Sequence, residues 1–278
     1  KGGIYVRKRK IIIILLSSLV LISLVSYITF ADGNNKDERS PLDYGLFASE
    51  NIQMSGSGCD IKADIWANNF LGFFGNGFEI RGNTWSSNDI KKSEAYWDSV
   101  GGVWQNSSLD IGDRSHIITA KKEMINIMDT IKETAKSENN YREVNGDLNF
   151  SNLTSSEIEL NKSYIVSGNI TVSINEKNLN SYLIADGKMD INLNNYKGTV
   201  NKKQDVSNIK SIVIASNKDI TIRGNPVIVG TIYAPNGTVK IEGSGTYVIG
   251  NIIAKNIIVN GSGLFMNDEK KIIFNDDL

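Results

Sequence analysis

The chain has 278 residues, with 30 basic and 31 acidic side chains that leave a formal charge of −1. This balance provides no field that would recruit nucleic acid, and we predict no nucleic-acid partner. The single cysteine, Cys59, excludes an internal disulfide framework, and we expect it to be a small apolar residue inside the fold. Three prolines and 25 glycines fit a β-rich protein whose turns are formed by Gly and Asn.

The N-terminus carries a membrane signal. Residues 1–10 form a basic tail that includes Arg7 to Lys10, and the twenty residues from Ile11 to Phe30 carry no charge. A helix of about 20 residues spans the roughly 30 Å core of a bilayer, and the basic cluster should stay in the cytoplasm. We therefore predict a single-pass plasma-membrane protein with a membrane helix at 11–30, a cytoplasmic N-terminus and an extracytoplasmic body.

A cleaved signal peptide is the alternative interpretation of this segment. Thr29 and Ala31 offer small residues at the −3 and −1 positions of a cleavage site, and cleavage after Ala31 would release a secreted protein. The uncharged run exceeds the usual apolar region of a signal peptide, about 7–15 residues, which favours a retained anchor. Residues 31–41 are mostly polar and are interpreted as a flexible linker.

From residue 42 onward a short pattern recurs: two mostly apolar residues, then Ala or Ser, then in six of eight cases an Asn two places later. The small residues lie 19, 19, 81, 18, 30, 19 and 20 positions apart. The eight segments are Leu46–Ala48, Ile65–Ala67, Thr84–Ser86, Ile165–Ser167, Leu183–Ala185, Val213–Ala215, Ile232–Ala234 and Ile252–Ala254. A repeat of apolar strand and Asn/Gly turn is typical of stacked β-coils. We predict an all-β fold, a right-handed parallel β-helix over residues 42–278.

The turns of the predicted coils have two signatures. The Asn residues after the small residue should turn the chain, and their amides should hydrogen-bond from coil to coil. A second turn is marked by glycines that tolerate left-handed backbone angles. These are Gly56, Gly58, Gly75, Gly82, Gly224, Gly243 and Gly261.

The 81-residue spacing predicts a helical insertion at about 93–161. Within it, Ser115–Lys136 has the spacing of an amphipathic helix, and the lone His116 falls at the helix start, in a surface or capping role. The apolar side of the predicted helix consists of Ile117, Met124, Ile127, Met128, Ile131 and Ala135.

The residue just before the small residue is apolar in all eight segments. Because neighbouring strand residues point to opposite faces, one apolar row must face away from the interior. An outward apolar row is either covered or a binding surface; we expect the predicted helix to cover it, and the alternative is a surface for a partner or for self-association. The row consists of Phe47, Trp66, Trp85, Val166, Ile184, Ile214, Tyr233 and Ile253.

The sequence predicts no catalytic residue, cofactor or metal site. It contains no nucleophile–base arrangement and no metal spacing of His and Cys, and acids such as Asp89, Asp186, Asp190 and Asp219 fall at different offsets from the small residue. The alternative is a β-helix protein that binds or cleaves cell-wall or host polysaccharide, as a lyase or glycoside hydrolase. Its candidate sugar-stacking residues are Trp66, Trp85, Trp97, Trp104 and Tyr233, although core or helix contact is a competing role for Trp66 and Trp85.

The segment Ser211–Gly263, with Ile-Tyr-Ala-Pro-Asn-Gly and Ile-Ile-Ala-Lys-Asn-Ile, resembles the β-solenoid of type IV pilus-associated (PilX-like) bacterial surface proteins. Tyr44–Gly58 is similar to the opening of the same region. The resemblance implies a secreted or membrane-tethered, non-enzymatic surface protein. The N-terminus departs from the pilin pattern, because basic residues precede the apolar segment and the pilin Glu is missing. We thus predict a structural or adhesive protein whose partners are the membrane, through Ile11–Phe30, and pilus or envelope components.

Overall fold

The computed structural model divides the chain into two compact units, Lys1–Glu38 and Arg39–Leu278. The structure describes residues 37–55, 58–74, 78–87, 91–92, 115–118, 120–138, 140–151, 162–174, 182–193, 211–261 and 263–268. The predicted membrane helix at 11–30 therefore lies outside the described residues. Within the described ranges, no helix is long and apolar enough to cross a membrane.

Parallel β-strands dominate the described part of the chain, together with one α-helix, α1 (Met128–Ser137), and a 3₁₀ turn at Pro41–Asp43. The first nine strands are β1 Leu46–Met54, β2 Asp60–Lys62, β3 Ile65–Ala67, β4 Phe70–Phe73, β5 Glu79–Ile80, β6 Thr84–Ser86, β7 Lys91–Lys92, β8 Ser115–Ile117 and β9 Tyr141–Val144. The others are β10 Leu148–Ser151, β11 Ser163–Val166, β12 Ile170–Ile174, β13 Leu183–Ala185, β14 Met189–Leu193, β15 Ile212–Ser216, β16 Ile220–Gly224, β17 Val227–Ile241, β18 Thr246–Val259 and β19 Leu264–Asn267. Their parallel pairing confirms the predicted β-solenoid.

The strands form three faces of a coil, which we call A, B and C. The long strands β17 and β18 bend through all three faces, and their pairing defines the register of a complete turn. Face A contains their first residues together with β19, β2 and β5. Face B stacks β9, β11, β13, β15, the middle of β17 and of β18, the start of β1, β3, β6 and β8. Face C stacks β10, β12, β14, β16, the ends of β17, β18 and β1, β4 and β7.

The order of the turns in the stack is permuted relative to the chain. The first strand, β1, pairs with β3 on one side and with β18 on the other, where Leu46 lies opposite Ile252 and Ala48 opposite Ala254. The chain therefore starts in the middle of the stack and runs outward to β8. It then crosses the outside of the coil, begins again at β9 at the opposite end, and runs back to the middle.

One turn in the middle of the stack is assembled from both ends of the unit. β1 supplies its face B and face C strands, whereas its face A strand is β19, which lies between β18 and β2. Near this turn the buried Asn251 accepts a hydrogen bond from Thr231 Oγ1 at 2.6 Å and donates one to the Leu42 carbonyl at 3.1 Å. The segment that leads into β1 is thus held to β17 and β18 by a buried polar bridge, in addition to the backbone pairing of β1 with β18.

The interior is filled by the residues that alternate inward along each strand, such as Leu46, Ile52 and Met54, none of which is exposed. At the corners between faces B and C, polar side chains bond from turn to turn. Asn51 Nδ2 donates to Asn256 Oδ1 at 2.9 Å, but Asp219 Oδ1 accepts from the Thr238 backbone N–H at 3.0 Å. The predicted Asn-to-Asn ladder is therefore a mixed set of Asp and Asn acceptors, many of which bind backbone N–H groups of the next turn.

The glycine turns have a different physical basis from the predicted one at several positions. Gly58 and Gly224 have the expected positive φ, at 73° and 83°. Gly243 and Gly261 do not; a Cβ at Gly243 would lie 2.0 Å from the carbonyl oxygen of Gly224, and one at Gly261 would lie 1.9 Å from that of Gly243. Close contact between successive turns, rather than backbone handedness, requires glycine there.

The predicted insertion and its helix are both shorter than expected. The helix is Met128–Ser137, whereas the predicted helix start, Ser115–Ile117, is strand β8 and continues the stack beside β6. His116 is therefore a strand residue and not a helix cap. At the other boundary, β9 and β10 already form a turn of the solenoid, so the repeats resume before the predicted end of the insertion at about residue 161.

Candidate functional site

Face B carries an outward row of side chains that runs the length of the stack. Strand alternation and the observed register place one residue from each turn in this row. In stack order the row is His116, Trp85, Trp66, Phe47, Ile253, Tyr233, Ala215, Ile184, Ile165 and Glu143. Six of the eight residues predicted for the apolar row belong to it.

The prediction is wrong by one residue in two turns. Val166 pairs with Ala185, and Ile214 pairs with Leu183 and Ile232, so both belong to the inward columns. Ile165 and Ala215 take their places in the outward row. A shift of one residue moves a side chain to the opposite face of a strand, and here the inward position at the end of the strand is held by Val166 and Ser216 rather than by Ser167 and Ala215.

Residues 120–137, which we call the strap, cover much of this row. Met128, Ile131 and Ala135 of α1 are buried against the solenoid, and α1 lies against β11 and β15. Ala215 at the centre of that region leaves room for the helix because its side chain is short. The expected cover is thus confirmed, although only half of it is helical and residues 120–127 cross the turns without forming regular structure.

Asn68 anchors the non-helical half of the strap. Its side chain is 3% exposed, and its Oδ1 accepts hydrogen bonds from Trp66 Nε1 at 2.8 Å and from the Lys122 N–H at 2.9 Å. Its Nδ2 donates to the Lys122 carbonyl at 2.6 Å. These contacts replace the hydrogen bonds that the strap backbone would otherwise make within a helix.

Tyr233 is the second anchor. Its hydroxyl accepts from the Ile127 N–H at 3.1 Å and donates to the Ile125 carbonyl. Burial raises the pKa of Tyr233 to about 12, so the phenol stays protonated and can donate throughout the physiological pH range.

Charged groups hold both halves of the strap. In the helical half, the Lys132 Nζ of α1 lies 2.9 Å from Asp186 Oδ1. Lys122 Nζ donates to the Arg39 carbonyl at 2.6 Å and lies 4.6 Å from the ring centre of Trp66. The strap is therefore held to several turns by both polar and apolar contacts.

The structure separates the aromatic residues predicted to bind sugar. Trp66 and Tyr233 are buried under the strap, and neither presents a ring face to solvent. Trp85 is half-buried and lies between Trp66 and His116, with ring centres 6.0 Å and 5.1 Å away. Trp97 and Trp104 lie outside the described residues. The described aromatics form a packed cluster, as the core interpretation of Trp66 and Trp85 expected.

A polar groove of about 450 Å³ lies at the corner of faces B and C, over four successive turns. Sequence reasoning did not single it out. One set of lining residues lies at the corner before each face C strand, and a second set lies within those strands. The polar lining residues are Asp147, Asn169, Lys188 and Asp219 at the corner, and Asn149, Thr171, Asp190 and Thr221 in the strands.

The charges around the groove are paired. The Thr238 N–H and the Lys188 ammonium, 3.1 Å away, hold the pKa of Asp219 below its ordinary value. Arg223 bonds to both Asp190 and Glu242, and Lys240 and Arg223 lower the pKa of Glu242. Asp219 and Glu242 are thus ionised hydrogen-bond acceptors, whereas a general acid at neutral pH needs a raised pKa.

The other residues with reactive side chains are held in structural positions. Cys59 is buried, and burial raises the pKa of its thiol, in line with the expected apolar role. In the part of the chain that the structure describes, no group of three or more His, Cys, Asp or Glu side chains could hold a metal ion.

Residues 139–271 match the model of a family described as a domain of unknown function, DUF7305. The match covers just under half of the chain, from the outermost turn at β9 through β19, and includes the whole groove. No curated protein matches the chain. No solved structure matches it either.

Proposed function

We propose that this protein is a non-enzymatic, membrane-tethered extracytoplasmic surface protein, whose right-handed solenoid is a rigid structural or adhesive module of the envelope or of a pilus. The observation that carries the proposal is the unbroken parallel stack of face B, ten strands deep in the described residues. Such a stack resists bending because each turn is hydrogen-bonded to two neighbours.

Two further features support this role. The apolar row of face B is largely covered by the strap, whose exposed residues include Lys121, Glu123, Asp129 and Glu133, so this face presents charged side chains to solvent. The resemblance of Ser211–Gly263 to pilus-associated surface proteins, and the uncharged segment Ile11–Phe30 after a basic tail, favour tethering to the outer side of the plasma membrane.

The test is fractionation of producing cells, with the mass of the mature protein and protease treatment of intact cells. We expect a membrane-bound protein that retains residues 11–30 and whose body is digested from outside. The matched control replaces Arg7 to Lys10 with Ser and Glu, which should disturb the orientation. Soluble extracellular protein that begins at Asp32 would overturn the anchor, and a protease-protected body would overturn the location; recovery in sheared filaments would support pilus association.

Polysaccharide binding is the second candidate function, and the groove is the observation that favours it. Asn, Thr, Asp and Lys side chains from four turns project into one open concavity, with both donors and acceptors for sugar hydroxyls. Successive turns repeat at about 4.8 Å, so an extended chain of sugars could contact several turns at once.

A glycan array probed with the protein tests this candidate. We expect binding to be lost in Asp190→Ala and in Lys188→Ala, and retained in Asp129→Ala, which removes an exposed carboxylate from the strap. Equal binding by all three variants would place any sugar site away from the groove.

A further inference from the structure

In the described residues, each end of the face B stack is a strand that pairs on one side only. β8 pairs with β6 on one side, and β9 pairs with β11 on one side. No other described strand pairs with the outer edge of either one. The backbone N–H and C=O groups of these edges therefore point away from the stack, which is the geometry that accepts an additional strand.

The open edges are compatible in direction and register. All strands of face B run parallel, so the edge at β8 can accept the edge at β9 of a second molecule in the same sense as any internal pair. Trp85 lies opposite His116, and Ile165 lies opposite Glu143. A junction that continues these columns places His116 opposite Glu143 and Ile117 opposite Val144.

Ile117 is the residue that most needs such a partner. It lies in the same inward column as Ser86 and Ala67, both of which are fully buried, yet it is 57% exposed because it ends the stack. Val144 at the other end belongs to the same column, opposite Val166. A second molecule would bring these two apolar side chains together and remove the Ile117 side chain from water.

The outward row adds charge complementarity at the same junction. Glu143 is exposed and bonds to Lys136 at 3.4 Å within its own chain, and His116 is half-buried against Trp85. Placed in adjacent turns, the carboxylate and the imidazole can share a hydrogen bond. Arg142 belongs to the inward column that contains Tyr164, and in the same register it lies opposite Ser115 of the next molecule.

We propose that copies of this chain stack head to tail, with the β8 edge of one molecule on the β9 edge of the next. The two surfaces differ, so the contact is heterologous and repeats along a line instead of closing into a symmetric dimer. Face B would then continue from molecule to molecule. This inference extends the proposed surface role, and a single tethered rod would still serve that role without it.

Cysteine cross-linking of the full chain in membranes tests the register. In one molecule Ile117 and Val144 are nine strand steps apart, or roughly 43 Å, which no disulfide can span. In the proposed junction they are neighbours. The double variant Ile117→Cys/Val144→Cys should therefore give a ladder of dimers, trimers and larger species under oxidising conditions, while the native Cys59 is buried.

Two controls make the test specific. Ile117→Cys/Glu143→Cys moves one thiol to the adjacent outward position, and we expect several-fold less cross-linking. A mixture of the two single variants, Ile117→Cys and Val144→Cys, should stop at dimers because each molecule then carries one engineered thiol. Absence of a ladder in the double variant, or equal cross-linking in the off-register pair, would overturn the proposal.

A second measurement does not depend on oxidation. Ile117→Lys should weaken self-association of the full chain in sedimentation experiments by roughly tenfold or more, since the junction would bury an unpaired ammonium. Ile258→Lys places the same charge in the middle of face C, where Ile258 is half-buried, and should leave association unchanged. Wild-type protein that stays monomeric would overturn the assembly and leave the single-rod surface role standing.

Discussion

Single residues in this solenoid are constrained by the distance between turns as much as by the core. Gly250 shows this most clearly: its φ is 147°, and a Cβ there would lie 1.8 Å from the carbonyl oxygen of Gly230 in the next turn. Two independent requirements, the backbone angle and the close approach, therefore exclude any side chain.

We expect Gly250→Ala to lower the free energy of unfolding by about 3 kcal/mol or more, because it adds a clash between turns to backbone strain of about 1–3 kcal/mol. The measurement is urea unfolding. Gly58→Ala is the matched control, since Gly58 also has positive φ but has no atom within 4 Å of the added Cβ. It should lose only about 1–2 kcal/mol. Equal losses in the two variants would show that close approach does not constrain Gly250.

The buried hydroxyl of Tyr233 predicts a pH-dependent contribution to stability. Its pKa is raised to about 12 from an ordinary value of 10.0, so the contribution is complete below pH 10 and is lost as the pH rises from 10 to 12. The loss over that range should be about 2–3 kcal/mol. Tyr233→Phe should be destabilised at pH 7 by about 1–3 kcal/mol, because the Ile127 N–H and the Ile125 carbonyl lose their partner.

The variant also lacks the ionisable group, so the difference in stability from wild type should shrink between pH 10 and 12. Unfolding curves measured at intervals over that range provide the check. Tyr141→Phe, at an exposed position, is the matched control and should have the stability of wild type at pH 7. A difference in the free energy of unfolding that stays constant between pH 10 and 12 would mean that folding does not raise the pKa of Tyr233.

The strap is the element that covers the apolar row of face B. It combines one short helix with eight residues that have no regular structure, and those eight are held by side chains of the solenoid rather than by their own backbone. Because Asn68 bonds to both the N–H and the carbonyl of Lys122, it controls the end of the strap that lies farthest from α1.

Asn68→Ala should lower stability by about 2–4 kcal/mol, since the indole of Trp66 and the backbone groups of Lys122 lose their buried partner. Amide exchange should accelerate in residues 120–127 more than in α1. Asn236→Ala is the matched control: it lies at a corner between faces B and C and is exposed, and we expect a change below about 1 kcal/mol. Unchanged exchange in 120–127 would contradict the anchoring role of Asn68.

At the scale of the whole molecule, the turns formed by β1 to β8 and those formed by β9 to β19 each pair with a strand edge that the other leaves open. β1 covers the edge of β18, and β19 completes the turn of β1. The segment that matches the family model therefore ends, in this chain, against strands that lie outside the match.

A fragment of residues 120–278 should aggregate when produced alone, because the edges of β18 and β19 are left open. Co-production with residues 39–118 should restore soluble protein as a non-covalent complex. The control is the same pair with Ile52→Asp, which places a charge in the buried contact opposite Ile257 and should prevent rescue. A soluble, cooperatively folding 120–278 monomer would contradict this interdependence.

The period near 19 residues was enough to predict parallel coils, because every turn repeats the same apolar strand and polar corner. The stack order could not be predicted, since Ile252–Ala254 offers β1 the same apolar edge that Ile65–Ala67 does. The strap was expected from the apolar row, but its anchors were missed. Asn68 follows the small residue directly, where the pattern drew attention to Asn69 instead.

The groove was missed because two turns were aligned one residue out of register. Counted from the inward residues Val144, Val166, Ala185 and Ser216, its strand residues all lie five positions on and its corner residues all lie three positions on. When the turns are aligned on Ser167 and Ala215 instead, the groove residues lie at different offsets from turn to turn, and neither column can be recognised. A one-residue slip leaves the hydrophobic pattern almost intact and hides every polar column that depends on it.

The permuted stack also imposes an order in time. Asn51 bonds to Asn256, 205 residues later in the chain, so at about 5–20 residues per second the ribosome needs on the order of 10–40 s to deliver this partner after the first strand is made. Contacts of such long sequence separation form slowly. The edge of β1 therefore stays unpaired until β18 has been synthesised. The middle of the solenoid can form only after strands from the beginning and the end of the unit are both present.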